Sequence, residues 1–298
     1  MMNTRKTPRN ALPETLPACL LLCFLTSIVA GCGGVGTRHA VDGTSWNFVP
    51  VTLAAPPFTF AGQLKAPKEG ADTLVAYIEG DGHILSRGRI TNDPPPRYPL
   101  GWLLARTDKA PAVLYLSRLG QHHTAFTGSR YSTYWAEKRF APEVVHAMSA
   151  ALDSAMERVG ATRVHLVGFS GGGAIACLLA AQRQDVASLV TVAGLLDHVL
   201  WTKHGGYAPL AGSLNPADAA LALVAMPQIH LYGKTDTVIS PEITRHFLRL
   251  APFADAKSME VDAGHNEGWE KVWPQLLAET IIPLRNKTNA LTSNSKRP

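Results

Sequence analysis

Along most of the chain, short β-branched runs alternate with longer stretches whose apolar residues recur every three or four positions. The strand-like runs are LVAYIEG (74–80), VLYLSRLG (113–120), VHLVGF (164–169), SLVTVAG (188–194), QIHLYG (228–233) and SMEVDAG (258–264). Several intervening helices carry their own signals. Pro142 and Glu143 suit a helix start, Val145, Met148, Leu152 and Met156 form one apolar face, and Gly160 suits its end. Ser240-Pro241-Glu242 opens a short helix, and Trp269, Val272, Trp273, Leu276 and Leu277 line the last one, which Pro274 kinks or restarts. This alternation predicts an α/β fold, a mostly parallel sheet covered by helices on both faces. Before it, FVPVTLA and FTFAGQL, broken by Pro56-Pro57, read as an antiparallel pair of edge strands. The domain predicted from this pattern runs from residue 47 to 285.

Two irregular excursions interrupt the alternation, at about 83–99 and 198–217. Long loops at the C-terminal ends of parallel strands are where such sheets build binding sites. Residues 286–298, ending in LTSNSKRP, are polar and read as a disordered tail.

The N-terminus has a different character. Arg5, Lys6 and Arg9 precede an apolar run from Ala18 to Ala30, too short to cross a bilayer comfortably. The run ends in Val29-Ala30-Gly31-Cys32, which resembles a bacterial lipobox. That resemblance implies a signal peptide over residues 1–31, lipid attachment at Cys32, a tether over 32–46, and a location in the bacterial cell envelope, with Gly33 after Cys32 favouring the outer membrane. The alternative is an ordinary secretory signal with an incidental cysteine. Cleavage before Cys32 removes Cys19 and Cys23 and leaves Cys32 and Cys177, the latter sitting among Ala176, Leu178 and Leu179 and reading as a buried structural thiol.

Composition adds exclusions more than assignments. With 298 residues, 46% of them hydrophobic and 17% charged, the chain suits one large soluble domain or two small ones. The net charge of +5 is mild and is carried in good part by the terminal segments, and no basic-aromatic stripe points to nucleic acid. There is no H-E-x-x-H pair and no C-x-x-C spacing, so neither a metal nor a cofactor is expected.

The segment VGFSGGG (167–173) carries the chemistry. Ser170 sits where the apolar period changes from 2 to 3.6, a strand-to-helix turn, and Gly168 and Gly172 flank it as G-x-S-x-G. Such a turn exposes the Ser170 hydroxyl and aims the Gly171 N–H at the same centre, where it would stabilise an oxyanion. The plainer reading is a glycine-rich turn whose serine caps the helix. A nucleophilic serine needs a base and a group to orient that base. Asp236 follows strand QIHLYG and His265 follows strand SMEVDAG, so Ser170, Asp236 and His265 fall at one edge of the predicted sheet in the order Ser…Asp…His.

With YIEGDGH (77–83), VGFSGGG (167–173), AGLLDH (193–198), GKTD (233–236) and AGH (263–265), the chain resembles the α/β-hydrolase family of serine hydrolases over roughly residues 47–285, and within it the bacterial lipoprotein members. The resemblance implies Ser170 as nucleophile, His265 as general base and acid, and Asp236 as the carboxylate that fixes the imidazole tautomer. It places a second oxyanion donor after the first parallel strand, where many relatives carry His-Gly. Here the turn is Glu79-Gly80-Asp81-Gly82, and the Asp81 backbone N–H is the candidate, its side chain reading equally well as a turn-forming carboxylate.

Asp197 is a rival for the acid, less well placed than Asp236. His83, His122, His123, His198 and His204 read as loop histidines, and His165 and His230, which interrupt strands, as structural ones. The expected function is a lipid-anchored hydrolase acting on an ester or thioester of a small or lipid-like acyl group, through an acyl-enzyme on Ser170. The alternatives are an acyltransferase and a catalytically silent envelope lipoprotein that uses the fold as a binding scaffold.

Overall fold

In the computed structural model, residues 41–86, 89–91, 94–122 and 129–295 are described. The signal-like segment, Cys32, most of the tether, His123 and residues 296–298 lie outside them. Strands β1 (Val49–Ala55) and β2 (Phe58–Lys65) form the expected antiparallel pair, turning at Pro56-Pro57. The six strand-like runs become β3 (Thr73–Ile78), β6 (Val113–Leu116), β7 (Arg163–Phe169), β8 (Val186–Val192), β9 (Gln228–Gly233) and β10 (Ala256–Val261). All are parallel, in an eight-stranded sheet of order β1-β2-β6-β3-β7-β8-β9-β10, with β2 joining β6 antiparallel. Strand β8 is buried along its whole length, as both faces of a helix-covered parallel sheet require.

Each face has its own core. On one, helices α2 (Pro142–Val159) and α3 (Gly171–Gln182) pack through Val145, Met148, Leu152, Ile175 and Leu179. On the other, α1 (Leu100–Ala105) and α6 (Trp269–Leu276) pack through Trp102, Leu103, Trp269 and Trp273. Helix α2 starts with Pro142 in its first turn and ends on Gly160 in the left-handed region at φ 73°, the roles expected of those residues.

The excursions contain elements that periodicity did not announce. The first holds a two-stranded hairpin, β4 (Leu85–Ser86) with β5 (Arg89–Ile90). The second holds helix α4 (His198–Gly205), whose N-cap Asp197 accepts from the backbone N–H groups of Val199 and Leu200. Helix α5 (Pro241–Arg249) follows β9.

The C-terminal segment corrects an expectation: residues 282–295 form helix α7, reached from α6 through one π-helical turn (Leu277–Ile281) that follows Pro274. A proline ring disrupts the i→i−4 ladder, and a widened turn is a common way of absorbing the offset. Polar composition suggested disorder over residues 286–298, but Thr288, within that span, is buried, as is Arg285 just before it. Arg285 donates to Asp108 Oδ2 at 2.7 Å, and Asp108 also accepts from the Tyr77 hydroxyl at 2.6 Å. Residues 41–46, read as tether, include a short 3-10 turn (Thr44–Trp46), and the Val41 carbonyl accepts from Gln63 Nε2.

Candidate active site

Ser170 directly follows β7 with φ 52° and ψ −120°, an unfavourable conformation for a residue with a side chain, and α3 begins at Gly171. The turn is tight enough that a Cβ on Gly168 would strike the Gly172 carbonyl, and one on Gly172 would strike the carbonyl oxygens of Ile78 and Glu79. Although Ser170 stands at the N-cap position, its side chain makes no capping hydrogen bond. Its Oγ lies 3.1 Å from His265 Nε2 instead.

His265 Nδ1 lies 2.8 Å from Asp236 Oδ2. Asp236 in turn is fixed by the backbone N–H groups of Val238 and Ile239, both 2.8 Å from Oδ1. An ionised carboxylate only accepts, so Nδ1 carries the proton and Nε2 presents its lone pair to the serine hydroxyl. Strands β7, β9 and β10 deliver the three side chains to one end of the sheet, and the Phe169 ring packs 5.2 Å from the imidazole. Asp197 is elsewhere engaged: it caps α4, accepts from Asn215 Nδ2 at 3.0 Å and approaches His246 Nε2 at 3.3 Å.

The turn after β3 lies against this centre. A Cβ on Gly171 would collide with the Asp81 carboxylate, so Asp81 is beside the start of α3. That carboxylate is held by two arginines. Oδ1 accepts from Arg118 Nη1 and Oδ2 from Arg139 Nη1, each at 2.8 Å. Burial alone would raise its pKa, but the Arg139 and Arg118 guanidiniums more than offset this and hold it below the usual carboxylate range. Arg118 Nη2 ties the pair together by donating to the Arg139 carbonyl, and Gln121 Nε2 donates to the Gly80 carbonyl. Neither arginine was singled out from sequence, because nothing local in R118 or R139 marks a partner 37 or 58 residues away.

Glu79 is fully buried, and loss of hydration pushes its pKa up to about 7, against hydrogen bonds from the N–H groups of Gly80, Gly101 and Trp102 and from Tyr115. A cavity of about 360 Å³ opens over Ser170 and His265. Its lining includes the polar residues Asp81, His83, Arg97 and Arg139 and the apolar residues Leu195, Trp201, Val238 and Ile239.

The remaining candidates are structural in their surroundings. His230 is buried between Thr191 Oγ1 and Gln228 Oε1, at 2.8 and 2.9 Å, and burial lowers its pKa to about 3. His165 is likewise lowered to about 3 by burial and lies 2.8 Å from Ser188 Oγ. Cys177 is a buried free thiol whose pKa burial pushes up. Among the described residues, no group of three His, Cys, Asp or Glu side chains is placed to hold a metal ion, and no helix is long and apolar enough to cross a membrane.

The strand order, the strand-to-helix turn at Ser170 and the placement of the three side chains define the α/β-hydrolase fold. The family model described as "alpha/beta hydrolase fold" matches residues 126–209. A comparison with the curated proteins finds no match. Among solved structures, Est1E from Butyrivibrio proteoclasticus is 14% identical, with 79% of this chain and 98% of that one covered and a TM-score of 0.56. An esterase from Pyrococcus furiosus is also 14% identical, covering 78% and 91% at a TM-score of 0.54. Puromycin hydrolase is 18% identical over 82% of this chain but only 39% of its own, at a TM-score of 0.59.

Proposed function

We propose that the protein is a serine hydrolase that cleaves an ester or thioester through an acyl-enzyme on Ser170. The observation that carries the reading is His265 bridging Ser170 and a doubly anchored Asp236, at 3.1 and 2.8 Å. Ser170 Oγ attacks the acyl carbonyl carbon as its proton passes to His265 Nε2, and Asp236 stabilises the imidazolium without taking the proton. The developing oxyanion receives the backbone N–H of Gly171, which as the first residue of α3 has no intrahelical acceptor, and that of Asp81. His265 then returns the proton to the leaving oxygen or sulfur, which departs and leaves the acyl group on Ser170. A water molecule reverses the sequence, giving up a proton to His265 and releasing the carboxylic acid and the free serine.

The test is turnover of short 4-nitrophenyl esters by purified protein. Ser170→Ala and His265→Ala should each lose about 10⁴-fold or more without loss of folding. Near-normal turnover by Ser170→Ala overturns the mechanism, and a folded parent inert to every ester would favour a binding scaffold. The names of two structural neighbours, an esterase and a hydrolase, agree with this reading.

Membrane attachment through lipid on Cys32 belongs to the same proposal and rests on the lipobox-like Val29-Ala30-Gly31-Cys32. Each buried acyl methylene contributes about 0.8 kcal/mol to membrane partitioning, so more than one chain would give stable anchoring in the cell envelope. Mass spectrometry of the mature N-terminus tests it independently: an unmodified terminus beginning elsewhere rejects the anchor and leaves the Ser170 mechanism intact.

A further inference from the structure

We propose that the basic residues of the cavity lining form an anion site, and that the preferred substrate carries an ionised carboxylate on its acyl chain or its leaving group. This rests on the reading of Ser170 as the reacting atom, because it concerns what lies beside that atom. Two guanidiniums of the lining region, Arg118 and Arg139, share one ion-paired carboxylate, Asp81, one oxygen each, and Glu79, the further carboxyl that acts on Arg118, makes no ion pair with either among the described residues. In Arg139, Nε donates to the Ala136 carbonyl and Nη1 to Asp81, while Nη2 has no acceptor among the described residues, and Arg139 lines the cavity.

Arg97 also lines the cavity and makes no ion pair among the described residues. Its Nη2 lies 3.2 Å from His83 Nε2 and, as a guanidinium nitrogen, can only donate to it. Arg97 therefore adds a positive charge to the lining that no carboxylate among the described residues pairs. Glu79, the other carboxyl group of the cavity lining, is fully buried and its oxygens accept from Gly80, Gly101 and Trp102. Planar guanidinium groups match the two oxygens of a carboxylate, and partial burial of Arg139 keeps water from screening the attraction fully. The apolar residues of the lining, Leu195, Trp201, Val238 and Ile239, suit the hydrocarbon part of the same molecule.

Matched ester pairs test the inference. On the acyl side, 4-nitrophenyl hydrogen glutarate is compared with 4-nitrophenyl methyl glutarate. On the leaving side, 4-butyryloxybenzoate is compared with its methyl ester. In at least one pair, kcat/KM should favour the anion by roughly tenfold or more, the scale of a hydrogen bond to a charged group, and the ratio should shrink as salt is added. Arg97→Gln and Arg139→Gln should each reduce that ratio. If Arg139 served only to hold Asp81, its variant would slow both members of a pair equally and leave the ratio unmoved. Arg97 is exposed, so its variant reports even if Arg139→Gln does not fold.

A binding arm separates this inference from the catalytic one. Calorimetry with Ser170→Ala should show methyl hydrogen glutarate binding at least about tenfold more tightly than dimethyl glutarate. Ratios near one in both turnover pairs and in this binding comparison overturn the anion site. Binding of the monoester by a protein that hydrolyses no ester would uphold the site and overturn the hydrolase reading.

Discussion

Replacing Arg285 with methionine isolates what holds the C-terminal helix α7 to the sheet. The Arg285 side chain is 7% exposed and that of Asp108 is 1% exposed, so the change removes the counter-charge of a buried carboxylate. Removing one partner of such a pair costs about 3–5 kcal/mol, because the other charge stays buried. Asp108 keeps the Tyr77 hydroxyl at 2.6 Å and the Ala110 N–H at 2.9 Å, which puts the expected loss near the lower end, about 3 kcal/mol. In a domain of this size that corresponds to a fall in Tm of roughly 6–12 °C.

The loss should also depend on pH. Burial acts to raise the Asp108 pKa, but Arg285 and the hydrogen bonds from Tyr77 and Ala110 outweigh it and hold the pKa below the ordinary value. In the parent, that stabilisation is fully present above the unfolded carboxylate pKa of about 3.9 and is lost as the pH falls through the lowered folded value. Without the guanidinium, burial dominates and the Asp108 pKa rises, so acidification relieves the variant. Urea unfolding of Arg285→Met and parent should show a gap that is largest near neutrality and narrows toward pH 5. Asp108→Asn placed on Arg285→Met should recover part of the loss. A gap below about 1 kcal/mol, as for an ordinary surface pair, or a gap that does not change with pH, would refute the reasoning.

Asp236→Asn should lower kcat by about 10⁴-fold, because an amide can donate to Nδ1 and stabilise the wrong tautomer, whereas Asp197→Asn, in the α4 cap, should leave turnover near the parental value; equal severity in steady-state assays would reassign the acid. Gly172→Ala places a methyl group against the carbonyl oxygens of Ile78 and Glu79, so soluble yield and Tm should both drop, and a variant with parental Tm and turnover would contradict the tight turn. Glu79 is raised from 4.5 to about 7, so it takes up a proton on folding and parental stability should decline as the pH rises from about 4.5 to 7. Glu79→Gln should flatten that slope in pH-dependent urea unfolding, and an unchanged slope would show that Glu79 is not its source. Cys177 is buried, so alkylation of the native protein should be slow and Cys177→Ala should retain turnover; rapid labelling would contradict its burial.

The parallel strands were legible because each is a short apolar run bounded by glycine or polar residues, from LVAYIEG to SMEVDAG, and strand-end position is enough to bring Ser170, Asp236 and His265 to one edge. Helix α7 was not legible because local composition does not reveal a buried partner. Arg285 reads as one more basic residue until folding sets it beside Asp108, 177 positions earlier. The same limit hid the arginines around Asp81. A motif shows the turn Glu79-Gly80-Asp81-Gly82, but the charges facing it come from beyond the end of β6 and from the segment before α2. Helix α4 lacked an apolar stripe, and only His198 and Thr202 of its residues are buried, so periodicity had nothing to report there.

Covalent labelling tests the central claim most directly, since it asks whether Ser170 is activated rather than merely exposed. The purified parent is treated with a fluorophosphonate probe, and the modified residue is located by peptide mass spectrometry. A single adduct on Ser170 is expected, absent from Ser170→Ala and formed far more slowly by His265→Ala. An adduct on another residue, or an unreactive Ser170 in a folded parent, would contradict the account.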